Sequence, residues 1–173
     1  MENALIALIS IAMIVTGALT ITKSSFSSMD ALSESWKGMQ ARTSEIARTS
    51  IEGTTSNFVN PSYMDVSVQN NGSVSLRDFA SWDIVVRYTS EGNTYHIVWL
   101  PYTDNATPGA NQWTVKEMLY GSGTEVFEPG ILNPQEVVVV RMNLSPRPKP
   151  NVVQYMAIST PNGVATSIMF ERN

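Results

Sequence analysis

From Asn3 to Thr22 the chain carries 20 consecutive uncharged residues, most of them Leu, Ile, Ala, Val or Met. As a helix this run spans roughly 30 Å, the thickness of a bilayer core. In hydrocarbon every backbone N–H and C=O must pair within the segment, so the run is expected to be helical. Three fates compete for it. A secretory signal peptide has a basic start, a shorter apolar core and a small-residue cleavage site. Here the only charge ahead of the run is Glu2, and no Ala-x-Ala end precedes Lys23. The other two are a single-pass anchor and a helix that enters the membrane transiently and is later buried among identical helices.

The residues that follow favour burial among copies. Met29, Leu32, Trp36, Met39, Thr43 and Ile46 step by three or four positions, an apolar seam broken only at Thr43. Ser, Asp, Glu, Lys and Arg fill most of the other faces. No proline occurs before Pro61, so one helix is predicted from Glu2 to about Ser50, roughly 75 Å long. A small β domain cannot cover such a helix, and its seam needs neighbours. The residues expected to pack a filament core are Leu5, Leu8, Ile9, Ile11, Ala12, Ile14, Val15, Leu19, Met29, Leu32, Trp36, Met39 and Ile46. Apolar burial at roughly 25 cal/mol per Å² would drive that packing. A membrane-proximal stalk or a dimeric coiled coil would explain the same seam. Gly17 and Gly38 each lower helix propensity by about 1 kcal/mol relative to Ala.

Around Gly53 the composition changes. Gly53 to Asn57 (Gly-Thr-Thr-Ser-Asn) reads as a turn-rich joint, which divides the chain into a helix, residues 1–52, and a head, residues 53–173. In the head the apolar period becomes two and β-branched residues dominate. Predicted strands are Tyr63–Gln69, Val74–Leu76, Trp82–Thr89, Thr94–Leu100, Gln112–Met118, Glu136–Asn143, Val152–Thr160 and Val164–Phe170. Turns are expected at Asn70-Asn71-Gly72, Glu91-Gly92-Asn93 and Pro161-Asn162-Gly163, with the longest loop at Tyr102–Asn111. The class is therefore α+β: a long N-terminal α-helix, then an antiparallel immunoglobulin-like β-sandwich. Val137–Val140 should lie in a central strand, and Trp82 and Trp99 in the core. Pro146, Pro148 and Pro150 should stiffen an extended connector.

Charge and chemistry exclude more than they suggest. Charged residues are 15% of the chain, below the roughly 25% of typical soluble domains. The net charge of -4, without a basic cluster, argues against nucleic-acid binding. Cysteine is absent, which removes disulfides and thiolate chemistry, and His96 is the single histidine. There is no Gly-x-Ser-x-Gly elbow. His96 reads as a half-exposed strand residue. Glu125 and Glu128 read as solvated loop residues, and Asp104 with Asn105 as a turn. No catalytic residue, cofactor or metal is expected. Asn71-Gly72-Ser73 and Asn105-Ala106-Thr107 are N-glycosylation sequons in predicted turns, so Asn71 and Asn105 are candidate acceptors. A third triplet, Asn143-Leu144-Ser145, is followed by Pro146.

On this arrangement the chain resembles the type IV pilin superfamily and, within it, the archaellins, subunits of the archaeal-type flagellum. Asn71 to Val86 (Asn-Gly-Ser-Val-Ser-Leu-Arg-Asp-Phe-Ala-Ser-Trp-Asp-Ile-Val-Val) resembles the archaellin stretch in which a turn leads to an aromatic-Asp-hydrophobic strand. Leu132 to Val137 is similar to that family's strand entry, and Thr160 to Val164 to its terminal hairpin. The family's precursors carry a short basic leader. None stands here, so the resemblance places Met1 at or near a processed end. Glu2 is displaced from the pilin helix glutamate. The resemblance implies a subunit of a helical extracellular filament at the cell surface, a homopolymer built by a filament assembly machinery, serving swimming motility. Its rivals are an adhesive type IV pilus subunit, a minor envelope-binding archaellum component and a single-pass membrane-anchored binding module.

Overall fold

The computed structural model describes residues 2–121, 123–124, 127–128 and 130–173. Helix α1 runs unbroken over Glu2–Arg48, through both Gly17 and Gly38. Among the described residues the strands are β1 (Ile51–Phe58), β2 (Tyr63–Asn70), β3 (Asp83–Thr89), β4 (Tyr95–Leu100), β5 (Gln112–Tyr120), β6 (Gly123–Thr124), β7 (Val137–Asn143), β8 (Gln154–Ser159) and β9 (Ala165–Phe170). Contacts divide the chain into two compact units, Met1–Ser44 and Glu45–Asn173.

The second unit is an antiparallel β-sandwich. One sheet has the order β1-β2-β7-β5-β6 and the other β4-β3-β8-β9. The core between them follows from alternation. Met64, Val66 and Val68 point inward from β2, Ile84, Val86 and Tyr88 from β3, Val138, Val140 and Met142 from β7, and Met156 and Ile158 from β8. β7 is paired on both sides, as its apolar run requires. Trp82 is buried and packs on Phe79 at 5.1 Å between ring centroids.

The turn at 70–72 closes the end of α1. The Asn71 and Gly72 amides donate to the Ser50 carbonyl, and the Ser73 amide donates to the Arg48 carbonyl at 2.9 Å. Asn162 Nδ2 donates to Thr49 Oγ1 at 2.8 Å. The Ser73 bond satisfies one of the carbonyls that a helix end leaves without partners, and the others tie the turn to the residues just after it. Asn70 is buried and donates from Nδ2 to the Val74 and Leu132 carbonyls. The hairpin turns at 91–93 and 161–163 form as expected, with Asn93 and Gly163 at positive φ.

Three expectations are corrected. Gly53–Asn57 is not a joint but part of β1, paired along β2 with a bulge between Gly53 and Thr55. Its Gly, Ser and Asn suggest a turn, yet its threonines suit a strand, and pairing decides. Val74–Leu76 makes a single bridge, Leu76 to Leu132. Trp99 is 57% exposed, because in β4 the opposite parity, Val98 and Leu100, turns inward.

Candidate functional site

The first surface is α1. Every residue expected to pack a filament core lies on it, and all of them are exposed within the single chain, Trp36 at 65% among them. Asn3–Arg48 is long and apolar enough to cross a membrane. Its polar atoms are suited to an apolar surrounding. The hydroxyls of Ser10, Thr16, Thr20 and Thr22, all those of the run 4–22, donate to the carbonyl four residues back at 2.8–2.9 Å. A hydroxyl bonded in this way needs no water.

The two outer faces of the sandwich differ. On the β1-β2-β7-β5-β6 sheet, Arg141 grips Asp65 with two bonds, Nε to Oδ1 at 2.7 Å and Nη2 to Oδ2 at 2.8 Å. Lys116 Nζ lies 3.3 Å from Asp65 and 2.7 Å from Glu117. Burial pushes the Asp65 carboxyl up, but the hydrogen bonds and charges of Arg141 and Lys116 outweigh it and hold the pKa below the ordinary 3.8. The cluster therefore adds stability above that value and loses it as pH falls through the lower folded-state pKa. Asp65→Asn is expected to cost about 1–3 kcal/mol at neutral pH. In thermal melts the gap between the variant and the parent should shrink as pH falls below the ordinary carboxylate value of 3.8; a gap that stays constant with pH refutes this.

The outer face of the β4-β3-β8-β9 sheet is apolar. From Val59 onward, nine large apolar side chains are exposed among the described residues. Five of them, Tyr95, Ile97, Trp99, Tyr155 and Met169, share this one face. Sequence reading missed it because both parities of Tyr95–Leu100 are aromatic or aliphatic except His96. That pattern was the available signal.

His96 is half-buried, stacks on Tyr88 at 5.2 Å and lies 3.2 Å from Ser90 Oγ. Among the described residues no cluster of three His, Cys, Asp or Glu is placed to hold a metal. Glu125 lies outside the described residues, and Glu128 accepts from Asn133 Nδ2 at 3.2 Å. The sequons separate by geometry. Asn71 Nδ2 donates to Glu52 at 2.7 Å, in the turn that closes the helix. Asn143 is paired on both sides within its sheet. Asn105 is exposed in the long loop, and its side-chain oxygen accepts the Thr107 amide at 3.2 Å.

No protein-family model matches the chain, and no curated protein sequence matches it significantly. Solved structures do. The archaellum periplasmic stator protein complex FlaF and FlaG from Sulfolobus acidocaldarius matches at a TM-score of 0.51 and 18% identity, over 69% of this chain and 87% of that chain. The chain shares that fold. The archaellum periplasmic stator protein FlaG from the same organism matches at 0.49 and 21% identity, over 70% of this chain and 99% of that one. Both are described as stator proteins, not as archaellins.

Proposed function

We propose that this chain is a non-catalytic component of an archaellum of the stator kind, held by α1 in the membrane or among partner helices, with its sandwich as a protein-binding head. The supporting observation is an exposed apolar helix joined to a sandwich with the fold of the FlaF and FlaG complex. Its partners on this reading are other archaellum proteins. Deleting the gene should abolish swimming, and the protein should stay with the cell envelope when filaments are sheared off. Normal swimming in the deletion strain would overturn the reading.

The seam from Met29 to Ile46 supports a second reading, a subunit of the extracellular filament itself, made as a homopolymer after transient membrane insertion. It predicts that the protein is released by shearing and forms filaments in negative stain. A membrane-anchored binding module unrelated to motility predicts retention on shearing and unchanged swimming. On any surface reading, Asn105 is the expected N-glycan acceptor. Intact-mass measurement of Asn105→Gln should show the loss of one glycan, whereas Asn71→Gln should change nothing.

A further inference from the structure

The loop that carries Asn105 also carries an aromatic ring. It reads Tyr102-Thr103-Asp104-Asn105-Ala106-Thr107, which sets a tyrosine three residues before the acceptor asparagine. The ring is anchored from the core side. Tyr102 is half-buried and meets the fully buried Trp113 edge to face, with ring centroids 5.0 Å apart and 71° between the planes. Tyr102 and Trp113 also form a backbone bridge, and the Thr103 amide donates to the Trp113 carbonyl at 2.8 Å. The far end of the loop is tied as well. The Pro108 carbonyl accepts from Tyr63 Oη at 3.0 Å and from Asn143 Nδ2 at 3.2 Å. Between these anchors, residues 104–107 are exposed. Two side-chain turns curl them. Thr103 Oγ1 accepts the Asn105 amide at 3.3 Å, and Asn105 Oδ1 accepts the Thr107 amide at 3.2 Å. Asp104 comes back to the ring: burial, and then this carboxylate, push the Tyr102 hydroxyl above its ordinary pKa. Asn105 Nδ2 donates to no group among the described residues.

We propose that Tyr102 is the platform on which the first sugar of an N-glycan at Asn105 packs, so that the glycan braces the loop against the sandwich. This rests on the reading of Asn105 as the acceptor. In the transfer, Asn105 Nδ2 bonds to the anomeric carbon of a lipid-phosphate-linked oligosaccharide. The anomeric C–O bond to phosphate breaks, and the Nδ2 proton leaves with the phosphate. A pyranose presents C–H groups on one face, and these suit the negative face of an aromatic ring. Covering the open part of Tyr102 also removes apolar surface from water. The contact costs little ordering, because Trp113 and the curled loop already hold the ring. The other triplets lack such a platform. Val68 stands three residues before Asn71 and Val140 three before Asn143, and both are buried in the core.

The test compares the glycosylated full-length protein with Asn105→Gln, both produced in the source cells and melted in detergent. The same pair is then made in a Tyr102→Leu background. With Tyr102 present, the glycan should raise the melting temperature of the head by roughly 4 °C, as expected for one aromatic contact in a domain of this length. In the Tyr102→Leu background it should add nothing. The cycle cancels whatever Tyr102→Leu does to packing on Trp113. Tyr102→Phe keeps the ring face and should keep the shift. Proton NMR of the parent glycoprotein reads the contact without any variant. The C–H protons of the first sugar should move upfield of their positions in the free glycosyl-asparagine, through the ring current. Equal melting shifts in both backgrounds, or sugar protons with no upfield shift, overturn the platform and leave Asn105 as the acceptor. A parent mass equal to that of the bare chain overturns the acceptor reading, and the platform with it.

Discussion

A chain carrying both Ile11→Asp and Ile14→Asp is expected to leave the membrane fraction. Both positions lie near the middle of the uncharged run and are exposed on α1. An Asp at the centre of a spanning helix costs about 2.5–3.5 kcal/mol on insertion scales, and each Ile removed forfeits a few tenths more. The pair together costs about 6–8 kcal/mol, more than ten-thousandfold in partition. Alkaline carbonate extraction and flotation read the effect, and full retention of the double variant would sink it. The head should melt unchanged, because its buried core lies within Glu45–Asn173. Trp36→Asp is the informative contrast. It lies on the amphipathic part of α1, beyond the uncharged run, so insertion should survive. Any assembly through the seam should be lost.

The contrast rests on a division of α1 that the sequence already shows. Charge is missing from 3–22 and returns at Lys23, so one helix has an all-round apolar part and a one-sided part. Its length was legible because no proline interrupts it and the spacing of three and four persists. The helix ends at Arg48, two residues from the expected position, where the 70–72 turn meets its last carbonyls. Most strands were legible for a similar reason: one face is buried, so the alternation is clean. β1 was not. Its residues are half exposed and small, and what makes it a strand is the partner β2 rather than its own pattern. Trp99 failed differently. Aromatic residues usually turn inward, but β4 has apolar residues at both parities, and register with β3 places Trp99 beside Val85 on the outer face. The apolar outer face of the β4-β3-β8-β9 sheet was hidden by the same ambiguity. The outward position of these five side chains depends on pairing between residues as far apart as Tyr95 and Met169, which no local window contains.

Gly53 carries the last prediction, because its role reverses when β1 is a strand. As a joint residue it would supply flexibility, and Ala would be tolerated. In the sandwich β1 and β9 are edge strands of facing sheets, and Gly53 lies directly against Ile168 of β9. A Cβ at this position would lie 2.1 Å from Ile168 Cγ1 and 2.2 Å from its Cδ1. Ile168 is buried in the core, so its side chain has no free space to swing into. Nearby, Phe58 of β1 meets Phe170 of β9 at 6.0 Å, which fixes the strand separation. Gly53→Ala should therefore cost about 3 kcal/mol, the upper end of ordinary overpacking, and lower the melting temperature of the head by roughly 10 °C. Ile168→Ala alone should cost about 2–4 kcal/mol through its cavity. The two together should be no less stable than Ile168→Ala alone, since the added methyl occupies space that the lost side chain vacates. Simple addition of the two losses in urea titrations would show that Gly53 acts through chain flexibility instead.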